Sequence, residues 1–201
     1  LFPERAQNFL EAGLDWIAYS IDGATPATYE KIRVGASFEK VMKNIAGVQQ
    51  LKERRGSKKP KTMLFFVMMK ENVRELPAMV KLAKSIGIDQ IVAKNLDVIL
   101  KEGDDERRIF KNRGEGEVDP SVSRAIAEAQ KEARDLKVSL RVYELSPAER
   151  PICEQSPLKT VFVAWDGSVS PCINLSYIQD RCYEGNWQRF PIVRFGNVVT
   201  E

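Results

Sequence analysis

Three times in succession a segment with helical spacing of apolar residues is followed by a short, almost wholly apolar run, and this alternation limits the fold more than any other feature of the chain. An apolar run of five to eight residues reads as a strand buried on both faces, and helices between such strands return the chain so that neighbouring strands run parallel. The first unit enters a helix at Pro3, shows Ala6, Phe9 and Leu10 on one face, stops at Gly13 and leads to the run at residues 16–21. In the second, Ser37 is placed to cap a helix with Val41, Met42, Ile45, Val48 and Leu51 at helical spacing, and residues 62–69 form the run. The third has Leu76, Met79, Val80, Ala83 and Ile86, a stop at Gly87, and a strand over residues 88–94. The fold class is therefore α/β. The strands at Trp16, Thr62 and Ile88 are expected parallel and adjacent in that order, with helices on one outer face and a raw edge or exposed apolar patch beside the Trp16 strand.

Residues 99–119 break the rhythm, being charged and glycine-containing, and are expected to form a surface loop or insertion. A last helix starts at Pro120, with Val122, Ala125, Ile126, Ala129, Ala133 and Leu136 on one face, and passes into an alternating strand at Val138, Leu140 and Val142. Past Ser146-Pro147 the character changes. Residues 159–164 and 168–173 read as two strands joined by Trp165-Asp166-Gly167, a tight-turn signal. This predicts two domains, residues 1–146 and 147–201.

Composition removes several classes of function. The 201 residues contain no histidine, which excludes histidine-based triads and histidine-ligated zinc. A net charge of +3 with scattered cations, and one basic cluster between Lys52 and Lys61 read as a solvated connector, gives no reason to expect nucleic acid. No apolar stretch approaches the roughly 20 residues that span a bilayer, so a soluble, cytoplasmic protein is expected. Three cysteines without secretory features indicate reduced thiols or metal ligands in preference to a disulfide framework.

Two constellations could carry chemistry. Ser20 and Asp22 sit two apart at the carboxyl end of the first strand, where parallel α/β folds gather ligand sites, and could hydrogen-bond one diol such as a ribose. The bland alternative is that Asp22 and Gly23 form the turn into a helix capped by Thr25-Pro26. The second constellation is Cys153 with Cys172, brought together by the glycine-turned hairpin, a pair able to offer two thiolates to one metal centre or to stay as buried free thiols.

The wording Ser20-Ile21-Asp22-Gly23, then Thr25-x-x-x-Tyr29, Ile32-Arg33-x-Gly35-x-Ser37-Phe38 and Val41-Met42-Lys43-Asn44-Ile45, resembles the fourth strand and following helices of radical S-adenosylmethionine enzymes carrying a SPASM extension. The strand at residues 62–69 with Asn72 and Leu76-x-x-Met79 resembles that family's fifth unit, and Gly87-Ile88 its sixth. Cys153-x13-Gly167-x4-Cys172 and Phe195-Gly196-Asn197-Val198 resemble the opening of the SPASM cysteine motif. The resemblance implies the C-terminal half of a partial (β/α)6 TIM-like barrel followed by the first β-hairpin of a SPASM domain. It implies S-adenosylmethionine as cofactor, with Ser20 and Asp22 holding its ribose or amino acid part, and Arg33 and Asn72 in support. For Arg33 a surface or aspartate-paired guanidinium is the alternative, and for Asn72 a strand-to-helix turn. Cys153 and Cys172 would be half of an auxiliary iron-sulfur site, Cys182 a spare thiol.

The family chemistry so implied is generation of a 5'-deoxyadenosyl radical for hydrogen abstraction, with peptide or protein maturation as the first substrate class and small-molecule cofactor synthesis as the second. An electron donor such as a flavodoxin or ferredoxin is implied with it. The three-cysteine loop that binds the catalytic [4Fe-4S] cluster does not occur in this sequence and is expected upstream of Leu1, so these residues alone are expected to be inactive. Ser146 and Pro147 stand where relatives carry a further cysteine. Two rival readings are a non-catalytic α/β binding module with structural thiols, and a barrel lyase using Asp22 and the strand-end Lys94.

Overall fold

A computed structural model describes residues 3–97, 99, 101–110, 118–145, 156, 158–183 and 186–200. The chain divides into two compact units, one made of Leu1–Leu96, Arg107–Ile109 and Gly116–Leu145, the other of Asp97–Glu106, Phe110–Glu115 and Ser146–Glu201.

The first unit is built on four parallel strands in chain order, β1 (Trp16–Ser20), β2 (Lys61–Met68), β3 (Gln90–Asn95) and β4 (Ser139–Val142). The register sets Ala18 beside Met63, Met63 beside Gln90 and Gln90 beside Ser139. The strands at Trp16, Thr62 and Ile88 are thus parallel and neighbours in order, and the Val138 segment adds a fourth. Five helices accompany them: α1 (Pro3–Glu11), α2 (Pro26–Ile32), α3 (Phe38–Arg54), α4 (Leu76–Ser85) and α5 (Pro120–Leu136).

Local sequence explains where these helices start and stop. Thr25 and Ser37 accept hydrogen bonds from the Thr28 and Lys40 amides as N-caps of α2 and α3, and Asp119 does the same for Ser121 at the head of α5. α5 buries Val122, Ala125, Ile126, Ala129 and Ala133 at three- and four-residue steps and ends on Lys137 in the left-handed region (φ 55°).

Most of the core lies on one side of the sheet. Tyr19, Leu64, Phe66, Met68, Ile91 and Ala93 point from alternate strand positions into Ile45 of α3, Met79 and Val80 of α4 and Ile126 and Ala129 of α5. Each fully buried large side chain there contributes about 1.5–3 kcal/mol. The intervening positions face the other way and are less covered toward β1: Ala18 and Ser20 are exposed, Trp16 is 57% exposed, and Phe65 and Val67 are half-buried, while Val92 in the middle of this face is 4% exposed. This corrects the expectation that the Trp16 strand is buried on both faces. Its apolar run is covered by a helix layer on one face only, and β1 occupies the edge of the sheet, so every second side chain meets solvent.

In the second unit β5 (Phe162–Val163) and β6 (Ser168–Ser170) form an antiparallel hairpin, with β9 (Gly196–Asn197) added against β6. The turn lies where the Asp-Gly signal places it: Ala164 N–H donates to Ser168 O (2.9 Å), and Gly167 takes φ 82°. A Cβ on Gly167 would meet Asn197 Oδ1 and Val199 Cγ2 at 2.6 Å, so the returning 197–199 segment needs the bare backbone there. A further hairpin, β7 (Gln179–Tyr183) with β8 (Asn186–Phe190), was not visible in the sequence pattern.

Candidate functional site

The carboxyl ends of β1 and β2 are tied together by Asp22. Its side chain is 5% exposed, and both oxygens are engaged by the chain itself. Oδ1 accepts from the Val67 amide (2.8 Å), and Oδ2 accepts from Arg33 Nε (2.7 Å) and lies 2.6 Å from Arg33 Nη2. Asn72, wholly buried, completes the clamp: its amide nitrogen donates to Asp22 O (2.9 Å) and Val67 O (2.8 Å), and its Oδ1 accepts from the Met69 amide (2.7 Å). Three of the four residues singled out for the cofactor are therefore members of one hydrogen-bonded network. Asp22 is a buried, fully partnered carboxylate, so it contributes more to the fold than a solvent-facing turn residue does. Arg33 is the aspartate-paired guanidinium weighed as its alternative, and Asn72 opens the short 3-10 turn Val73–Glu75.

Gly23 follows from the same packing. A Cβ there would lie 2.5 Å from the Tyr29 backbone nitrogen and 2.9 Å from Thr28 carbonyl carbon, so α2 can fold back over this position only because it is glycine. Glu75 fastens the same loop from below: it accepts from the Ala24 amide (2.7 Å) and from the Thr28 hydroxyl. Sequence reasoning missed Glu75, since its partner is 51 residues away and no local motif joins them.

Ser20 stands apart from this clamp. It is exposed on the open face, at the start of a row that crosses all four strands through Phe65 and Val92 to Arg141. The next row contains Val67 and Lys94, with Tyr143 beside them where its amide donates to Ala93 O (2.9 Å). The Lys94 ammonium lies 4.7 Å from the centre of the Phe65 ring and 5.7 Å from that of Tyr143, and the Arg141 guanidinium lies 5.0 Å from the Tyr143 ring. The open face thus offers one free hydroxyl, two cations and two rings at the carboxyl end of a parallel sheet, where such folds place ligands.

Cys153 lies outside the described residues. Cys172 is a free, half-buried thiol just after β6, preceding the 3-10 turn Ile173–Leu175. Cys182 is a second free thiol, on β7, with its amide donating to Ile99 O (3.1 Å). Among the described residues no three histidine, cysteine or acidic side chains come together as a metal site. No described helix is long and apolar enough to cross a membrane.

Among the described residues the first unit is an α/β fold whose four-stranded parallel sheet is helix-covered on one face, with Ser20, Lys94 and Arg141 on the other near its carboxyl end. No family model matches the chain. It is 26% identical over 203 residues to the tungsten-containing aldehyde ferredoxin oxidoreductase cofactor-modifying protein of Pyrococcus furiosus, an alignment covering 98% of this chain and 53% of that protein. The chain spans about half the length of the curated relative it matches.

Proposed function

We propose that this chain is part of a radical S-adenosylmethionine enzyme with a SPASM extension, acting in enzyme maturation or cofactor biosynthesis, and that its reaction face is the open side of the parallel sheet. The observation that carries the reading is the exposed Ser20 hydroxyl beside a strand end that Asp22, Arg33 and Asn72 hold rigid. Likeness to a protein named as cofactor-modifying for a tungsten enzyme supports the functional class, and with it a protein partner. In this reading S-adenosylmethionine, bound with a [4Fe-4S] cluster, supplies a 5'-deoxyadenosyl radical for hydrogen abstraction.

The residues of this chain bind and orient. Ser20 donates to or accepts from a ribose hydroxyl. Asp22 fixes the height of the loop that follows β1, Arg33 neutralises Asp22, and Asn72 locks β1 to β2, so these three act as positioning residues behind Ser20. Cys172, together with Cys153, would serve an auxiliary iron-sulfur cluster, the thiolate being the ligand such clusters require. A peptide or protein, or a cofactor precursor, is the substrate, and a ferredoxin or flavodoxin is the electron donor.

The test is anaerobic reconstitution of the full gene product with iron and sulfide, followed by reduction in the presence of S-adenosylmethionine. Formation of 5'-deoxyadenosine, with weaker cofactor binding in Ser20→Ala and reduced iron content in Cys153→Ala/Cys172→Ala, is the expected result. A well-folded protein that takes up no iron and releases no 5'-deoxyadenosine overturns the reading in favour of a binding module with structural thiols.

A further inference from the structure

Lys94 and Arg141 project from adjacent strands onto the open face of the sheet, one row apart, and among the described residues neither has a carboxylate partner. Arg141 pairs with Val92, two residues before Lys94, so the two like charges are diagonal neighbours on adjacent strands and repel each other unless something offsets it. Part of the offset is visible in the ring faces of Phe65 and Tyr143, which hold the Lys94 ammonium and the Arg141 guanidinium. The rings also orient the two cations while leaving their outward donors unused. A guanidinium presents a planar fork of donors and an ammonium three more, a combination suited to one anionic group approached from the solvent side. Next to it, Met63, Phe65 and Val67 offer half-buried apolar surface on the same face.

We infer that Lys94 and Arg141, held by Phe65 and Tyr143, form an anion-binding subsite for a small substrate that carries a phosphate or carboxylate beside an apolar body. The inference rests on the open face being the reaction face, and it assigns this patch to substrate and not to S-adenosylmethionine.

Binding to the full gene product, prepared without iron, decides it without any cluster or radical step, so its outcome is separate from that of the cofactor reading. Phenyl phosphate and benzoate are titrated by calorimetry into wild type, Lys94→Met, Arg141→Met and Lys43→Met. Lys43 is an exposed residue of α3 and serves as the charge-matched control. Saturable binding of one probe, weakened about tenfold or more by Lys94→Met and by Arg141→Met and unchanged by Lys43→Met, is expected. Whichever probe binds names the anion. Thermal unfolding of each variant is recorded alongside, and Lys94→Gln replaces Lys94→Met should that protein fail to fold. The inference is overturned by the absence of saturable binding, by an equal loss in Lys43→Met, or by stoichiometric displacement of the probe with S-adenosylmethionine.

Discussion

The two ends of the parallel sheet each hold an aspartate between strands, and they differ in how the surrounding charge is settled. At the amino end Asp89 accepts from the Thr62 amide (2.8 Å) and hydroxyl (2.9 Å), with Lys52 at 3.7 Å and Lys61 at 3.5 Å. Burial works against its charge, but those hydrogen bonds and the two lysines outweigh it and hold its carboxyl below the ordinary range. Here the anion and its cations complete one another. At the carboxyl end Asp22 is satisfied by Arg33 and the Val67 amide, and among the described residues Lys94 and Arg141 have ring faces but no carboxylate. Closed charge at one end makes a structural joint, and the cations left over at the other are the ones assigned above to an anion.

The largest expected effect is at the buried clamp. Asn72→Ala leaves Asp22 O, Val67 O and the Met69 amide without partners, and should cost about 3 kcal/mol in denaturant unfolding. Asp22→Ala should cost about 2 kcal/mol or more by stranding Arg33 and the Val67 amide; loss of under 0.5 kcal/mol in either variant would mean the carboxyl end is not held as described. At the other end Asp89→Asn should cost about 1 kcal/mol at neutral pH, since its side chain is 35% exposed and solvent screens the lysines. Its folded pKa is depressed, so its contribution is present above the ordinary value of 3.8 and fades as pH falls through the folded value. An acid titration of stability in which wild type and Asp89→Asn run parallel would contradict that.

Smaller still is Tyr19→Phe. The Tyr19 hydroxyl is buried without a hydrogen-bond partner, and burial pushes its pKa from 10.0 up to about 12. The folded state therefore favours the protonated phenol, and stability present below pH 10.0 is lost as pH rises toward about 12. Tyr19→Phe should be neutral or slightly stabilising at pH 7 and should flatten the alkaline decline; an unchanged decline would remove Tyr19 as its source. Ser20→Ala, on the open face, should shift stability by no more than about 0.5 kcal/mol, which keeps it usable as a binding probe.

Much of the first unit was legible because its signals are local. Ser37 and Thr25 cap helices through bonds spanning three residues, and the 3.6-residue spacing of Val122, Ala125, Ile126, Ala129 and Ala133 already describes the buried stripe of α5. The β7–β8 hairpin was not legible: Gln179–Tyr183 and Asn186–Phe190 are polar, without the apolar alternation that announces a strand.

By itself the sequence determined the α/β class, the order of the strands and helices, the Trp165-Asp166-Gly167 turn, and the choice of Ser20, Asp22, Arg33 and Asn72 as residues to watch. Only the tertiary structure decided that Trp16, Ala18 and Ser20 stay exposed, because a run such as Trp16–Ser20 is equally apolar whether one helix layer or two will cover it. It also decided that Asp22, Arg33 and Asn72 work as one clamp while Ser20 faces outward, and that Lys94 meets Phe65 and Tyr143. Those partners lie 11 to 50 residues apart in the chain, and the register of parallel strands together with the fold-back of α2 over Gly23 brings them together.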